Sequence, residues 1–158
     1  MSRLQGLQVL CFRVGGRTFA LDIMGIREIL RNQTVTPLPH TPPHIAGVVN
    51  LRGALIPVVD LRPALLGPDA SPAAEDLKLV VVQARGKVAG LLVDQVLDVA
   101  GIPSAALTPI PGAGVDAGHA VVATFHRAGE GGDEVVVLMR VAPLLEDDVL
   151  VPPEILVA

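Results

Sequence analysis

Gly47-Val48-Val49-Asn50-Leu51-Arg52-Gly53-Ala54-Leu55-Ile56-Pro57-Val58-Val59-Asp60-Leu61-Arg62 is the stretch whose reading decides the fold. Two apolar runs rich in β-branched residues flank one Arg-Gly pair. Such runs suit a pleated, half-buried surface, and Gly53 lets the backbone turn where a side chain would clash. The pattern predicts strand, tight turn, strand, with a permanently charged guanidinium at the bend. An arginine held this way can fork onto a carboxylate of its own fold or of a partner. Nothing around it forms a catalytic set.

Outward from this stretch, strands dominate. On the N-terminal side, residues 9–14 and 18–23 flank Gly15-Gly16-Arg17, a hairpin signal. Residues 26–30 continue as a third strand or as a bent extension of the second. Pro37, Pro39, Pro42 and Pro43 make residues 35–44 a rigid, extended loop. The opening stretch itself supplies strands over 46–51 and 54–60, and Leu61 to Gly67 predicts one helical turn ending at glycine. Residues 68–76, rich in Pro, Asp, Ser and Ala, are the most linker-like segment.

The second half repeats the theme. Residues 77–84 and 87–93 pair around Arg85-Gly86, and 96–100 continue. A Pro/Gly-rich stretch spans 102–118. Residues 120–125 and 134–141 bracket a glycine-rich turn at 129–132, and Pro143-Leu144-Leu145 closes as a short helical turn. The order is an internal repeat. Phe19-Ala20-Leu21-Asp22-Ile23 with Ile26-Arg27-Glu28-Ile29 runs parallel to Val88-Ala89-Gly90-Leu91-Leu92 with Gln95-Val96-Leu97-Asp98-Val99. Ile56 to Leu66 likewise matches Val135 to Leu145. Two units of about 70 residues, each of about five strands, are too small to make good cores alone. Closing each sheet into a small barrel removes its edges and lets the two share a core. The expectation is all-β: one domain over 1–158, with two five-stranded β-barrel subdomains, approximately 9–76 and 77–146, short helical turns, and a C-terminal tail over 147–158.

Composition bounds the function. Hydrophobic residues make up 51% of the chain and charged residues 18%, which argues against disorder. With no Trp, no Tyr and three Phe, the core must be filled by Val, Leu, Ile and Ala. A net charge of −4 and the lack of aromatic stacking platforms argue against nucleic-acid binding. Cys11, in the run Val9-Leu10-Cys11-Phe12, is expected to be a buried, inert thiol, in keeping with a reducing cytosol. The N-terminus lacks the pattern of a signal peptide. Apolar runs of about six to eight residues fall well short of the roughly 20 that span a bilayer, so a soluble protein is expected.

The motifs carry a resemblance. Phe19-Ala20-Leu21-Asp22-Ile23 with Ile26-Arg27-Glu28-Ile29, then Pro37 and Pro42, the block from Gly47 through Arg62, and Gly90-Leu91-Leu92-Val93-Asp94-Gln95-Val96 with Val99 are similar to the CheW family of bacterial chemosensory adaptors. The similarity spans roughly residues 9–145. It implies two SH3-like β-barrels packed together, no active site and no cofactor. It also implies an adaptor linking the cytoplasmic tip of chemoreceptors to the regulatory domain of the histidine kinase CheA, with neighbouring CheW-like units as further ring contacts. No receiver or kinase segment accompanies the CheW-like unit, so an adaptor is expected rather than a fused coupling protein. Localisation would be cytoplasmic, at membrane-associated receptor arrays. The positions matching the receptor contact are Ile26, Glu28, Asn50, Arg52 and Val99, around a groove between the barrels. Those matching the kinase contact are Lys78 and Leu79, at the outer end of the second barrel. The chain departs from the family in its last strand, where an acidic residue commonly follows the apolar run and Leu138-Met139-Arg140-Val141 stands here.

Each candidate also has a plain structural reading. Arg52 could pair inside the fold, with Glu28, Asp60 or Asp94. Ile26 and Glu28, two apart on a strand, are expected to share a face at the core's edge. Val99 could be an ordinary core valine. Asp94 and Asp60 are expected to be structural carboxylates, because no second acid or base can be named for catalysis. His40 and His44 are separated by Pro42 and Pro43, which rules out a shared helical face, and His119 and His126 fall on opposite faces of a strand, so no metal site is expected. Gly112-Ala113-Gly114 and Gly118 lack phosphate-loop spacing and lead into a strand. The function alternative to an adaptor is a small β-barrel binding an apolar ligand in its interior. A hydrolase built on Asp60 or Asp94 would lack any nucleophile–base pair.

Overall fold

The computed structural model describes residues 6–31, 33–67, 77–110, 121–129 and 131–145. The linker-like stretch 68–76, most of the Pro/Gly-rich stretch beyond residue 110, His119 and the C-terminal tail lie outside them. Eleven strands are described: β1 (Leu7–Val14), β2 (Arg17–Asp22), β3 (Ile26–Arg31), β4 (Ile45–Leu51), β5 (Ala54–Asp60), β6 (Lys78–Ala84), β7 (Lys87–Val93), β8 (Gln95–Ile102), β9 (Thr108–Pro109), β10 (Val121–Gly129) and β11 (Gly132–Met139). One α-helix, α1 (Leu61–Leu66), follows β5, and 3₁₀ turns occupy Ile23–Gly25, Ser104–Ala106 and Ala142–Leu145. Two-residue turns join three hairpins. Their central residues are Gly15 and Gly16 (φ 60° and 81°), Arg52 and Gly53 (51° and 89°), and Arg85 and Gly86 (53° and 78°). Positive φ at both positions is the type I′ requirement, which matches the right-handed twist of the flanking strands.

The strands form two sheets, in the orders β8-β1-β2-β11-β10-β9 and β3-β6-β7-β5-β4. Most neighbours are antiparallel, but β11 runs parallel to β2 and β5 parallel to β7. These parallel pairs correct the expected subdomain borders. Residues 9–76 do not close on themselves, and neither do 77–146. The leading hairpin of the first half, β1–β2, lies in the six-stranded sheet with β8, β10 and β11 of the second half. The leading hairpin of the second half, β6–β7, lies in the five-stranded sheet with β3, β4 and β5 of the first. The two halves exchange hairpins. A repeat in sequence specifies the order of strands, not which copy's hairpin enters which sheet.

The exchange explains the apolar runs. Leu10, Phe12 and Val14 of β1 and Val80 and Val82 of β6 point into one large cluster shared by the two sheets, with Phe19, Leu21, Val59, Leu61, Leu91 and Met139. The alternate residues point the other way. Val9 and Cys11 join Ala20, Phe125, Val136 and Leu138 inside the six-stranded sheet. Leu79 and Val81 join Val49, Leu51, Ile56 and Val58 inside the five-stranded one. Strands buried on both faces lose the period-2 signature and read as continuous apolar runs. The same loss shifts the repeat register by one: Ile56 and Val58 occupy the interior positions that Val136 and Leu138 occupy in the other sheet, so Ile56 corresponds to Val136 rather than Val135.

Candidate functional site: the seam and the groove between subdomains

Asn50 and Arg52 sit where the opening stretch bends. The Asn50 Oδ1 accepts from the Gly53 backbone N–H at 3.0 Å, which pins the β4–β5 turn. Arg52 is held there in the left-handed region, where a side chain other than Gly, Asn or Asp carries a steric cost. Its Nη2 donates to the Glu28 Oε2. Of the three partners open to Arg52 from sequence, Glu28 is the one engaged. Glu28 lies on β3 and Arg52 at the end of β4, the two terminal strands of the five-stranded sheet. Their contact means that the sheet curls until its edges meet. The guanidinium holds the Glu28 carboxyl below the usual carboxylate range, and the carboxylate in turn raises Arg52. The Arg52 side chain remains 67% exposed.

Ile26 does not share Glu28's face. A bulge between them sets Ile26 opposite Val82 and Glu28 opposite Val81. Val82 belongs to the shared core, which Ile26 packs against, while Val81 points into the sheet's own interior. The extra residue of a bulge reverses the alternation on which the expectation rested. Val99 lies on β8 in the other sheet, paired with Leu10 and 57% exposed, so it is not a core valine.

The six-stranded sheet has an equivalent seam. Asp98, on its terminal strand β8, accepts from the Arg127 Nη1 of β10 at 2.7 Å. Arg127 Nε lies 3.4 Å from Glu134 Oε2, and the Thr18 hydroxyl donates to Glu134 Oε1 at 2.7 Å. Asp98 matches Glu28 in the repeat. Cys11 is fully buried on this interior, and burial pushes its thiol pKa up, as expected for an inert thiol.

Between the subdomains runs a groove of about 600 Å³, lined by Ile29 and Arg31 of β3, Lys78 of β6, Asp94, and Gln95, Val96 and Leu97 of β8. Of the seven residues matched by resemblance to binding positions, only Lys78 lines it. Lys78 therefore faces the junction rather than the outer end of a barrel. Leu79 is 2% exposed, on the opposite side of β6, inside the five-stranded subdomain. This corrects its expected role: a partner has no access to the Leu79 side chain.

The sequence reasoning named Asp94 but missed its partner. Arg62, in the first turn of α1, donates from Nε and Nη2 to the two Asp94 carboxylate oxygens at 3.2 and 2.7 Å. Asp94 also accepts from the Gly15 N–H at 2.7 Å, and its own N–H donates to the Arg13 carbonyl. Asp60 caps α1 by accepting from the Arg62 N–H at 3.0 Å. A signal was present: Arg62 and Asp94 each interrupt an apolar run, and charges in such runs need each other. Among the described residues, no three His, Cys, Asp or Glu side chains converge as metal ligands, and no helix is long and apolar enough to cross a membrane.

Two barrel-like sheets around a shared core define a two-subdomain, all-β scaffold. The chain belongs to the family described as the CheW-like domain, whose model matches residues 8–149. It is 40% identical over 106 residues to a chemotaxis protein CheW of Rhizobium meliloti, covering 67% of this chain and 68% of that one. It is 30% identical over 145 residues to a chemotaxis protein CheW of Klebsiella aerogenes, covering 90% and 84%. The crystal structure of the scaffolding protein TtCheW from Thermoanaerobacter tengcongensis superposes with a TM-score of 0.71 at 27% identity, covering 85% of this chain and 84% of that one. The fold is accordingly the pair of SH3-like subdomains that the resemblance implied.

Proposed function

We propose that this chain, as a single CheW-like domain over residues 1–158, is a non-enzymatic adaptor that couples chemoreceptors to the histidine kinase CheA in a bacterial chemosensory array. The match of residues 8–149 to the CheW-like domain carries the reading. On this reading the protein is cytoplasmic and is recruited to receptor arrays, with CheW-like neighbours as ring contacts. The receptor tip docks on the Glu28–Arg52 seam and the exposed Val99 beside the groove, and CheA meets the chain through β6, whose Lys78 lines that groove, so the two contacts adjoin at the subdomain junction. The open groove supports a partner of extended or helical shape, because it is bounded by strands of both sheets and carries apolar Ile29, Val96 and Leu97 beside charged Arg31. An apolar ligand inside a barrel has less support, since each interior is filled by its own side chains.

The test is reconstitution with a soluble receptor cytoplasmic fragment and CheA encoded in the same genome. The expected result is a ternary complex in which kinase activity responds to the receptor fragment only when this chain is present. Binding to neither protein, by a folded sample, would overturn the reading. Arg52→Lys keeps the charge and loses the planar guanidinium with its several donors. With Glu28→Ala, it is expected to reduce receptor capture while kinase affinity holds.

A further inference from the structure

The groove has one wall on β3 and β6 and the other on β8, which belong to different sheets. Its opening therefore depends on how the two subdomains are set against each other. Two junctions flank the shared core, and they differ. At the first, the tip of the β1–β2 hairpin rests on α1. A Cβ built on Gly15 would come within 2.3 Å of Leu66 Cδ1, so the turn is packed down with no room to spare. Asp94 binds this tip, through the Gly15 N–H and the Arg13 carbonyl, and binds α1 through the Arg62 fork. The Arg62 and Asp94 side chains are only 15% and 18% exposed. At the second junction, Gly25 of the β2–β3 connection meets Val141, where a Cβ would lie 2.9 Å from Cγ2. That contact is apolar. It resists separation but has none of the directionality of a bidentate ion pair.

Asp94 is also where β7 of one sheet hands over to β8 of the other. Gln95, the next residue, is the first of the β8 wall. We infer that Asp94 is a positioning residue: by tying the β1–β2 tip and Arg62 to the start of β8, it sets the angle between the subdomains and hence the opening of the groove. The effect on receptor binding rests on the adaptor reading above, whereas the effect on subdomain angle does not.

The experiment measures the angle directly in the full-length protein. Spin labels are placed at exposed positions in the two sheets' subdomains by Gln83→Cys and Ala105→Cys, with buried Cys11 left in place, and a control pair, Gln83→Cys with Leu55→Cys, lies within one sheet. In Asp94→Ala the distance distribution between subdomains is expected to broaden or shift while the control pair stays unchanged. Asp94→Asn, which keeps an acceptor for Gly15, should fall between the two. Affinity for the receptor fragment should drop about tenfold in Asp94→Ala, as expected when a binding-competent arrangement becomes one of several. Should Asp94→Ala fail to fold, Arg62→Gln tests the same fork from the helix side. An unchanged inter-subdomain distribution in a folded variant lacking the fork overturns the inference. A changed distribution with unchanged receptor affinity supports the positioning role and instead removes the groove from the receptor contact.

Discussion

The two subdomains solve the same closure problem with different chemistry. In the five-stranded one, the seam among the described residues rests on the pair Glu28–Arg52, with the arginine largely in solvent and its backbone in the left-handed region. In the six-stranded one, Arg127 is held between Asp98 and Glu134, Glu134 is held again by Thr18, and Arg127 is 21% exposed. An exposed pair contributes little to stability, whereas a half-buried network with shared partners loses several interactions when one member goes. The difference separates a seam that holds the fold from one whose arginine is kept at a conformational cost and offered to solvent. Arg85 carries the same left-handed backbone in the β6–β7 turn, so strain alone does not single out Arg52; on the adaptor reading above, its exposed guanidinium is offered to the receptor.

Substitutions can break or sharpen this contrast. The largest effect is expected inside the five-stranded subdomain, whose weak seam makes it depend on its interior. Leu79→Glu removes a buried apolar contact and inserts a charge among Val49, Leu51 and Val58. A loss of at least about 3–5 kcal/mol should leave the chain unfolded or aggregated by circular dichroism. A folded Leu79→Glu that loses only kinase binding would show the strand to be turned over. Arg127→Ala comes next. It leaves Glu134 half-buried with Thr18 alone, and a loss of about 1–2 kcal/mol is expected from thermal melts. At the other seam, Arg52→Gly relieves the left-handed side chain while deleting the ion pair, so the melting temperature should stay level or rise slightly even as receptor capture falls. A marked drop in melting temperature would place Arg52 on the same footing as Arg127. The smallest effect is in pH dependence. Because Arg52 lowers the Glu28 pKa on folding, the pair's contribution is present above the ordinary carboxylate range near pH 4.3 and is lost as pH falls through the lower folded value. Glu28→Gln should therefore lower stability slightly near neutral pH, leave it unchanged in acid below both pKa values, and shrink the acid-induced loss by that same small amount.

Much of this was legible in the chain. The strands of the opening stretch, its Arg-Gly turn, the helical turn ending at Gly67 and the duplicated strand order follow from β-branched runs, positive-φ turn chemistry and glycine placement. The family motifs carried the two-barrel architecture. Three things were not legible, each for a physical reason. The bulge that parts Ile26 from Glu28 has no side-chain signature, so alternation was assumed to continue. The burial of Leu79 was hidden because Leu79-Val80-Val81-Val82 is covered on both faces and shows no period. The Arg62–Asp94 fork joins residues 32 apart in sequence across a junction that exists only once the hairpins have been exchanged.

That exchange has a consequence for how the chain is made. On the ribosome, the β1–β2 hairpin emerges first, yet its sheet neighbours are β8 and β11, and Thr18 must wait for Val136. The β3, β4 and β5 strands follow with two edges still lacking β6 and β7. Neither sheet can be completed from the first half of the strand order, so its apolar strands stay unpaired until β6, β7, β8 and β11 have followed. Such late, long-range pairing is slow and exposes sticky edges on the way. The order in which the fold can be assembled is thus set by its strand topology rather than by any single residue.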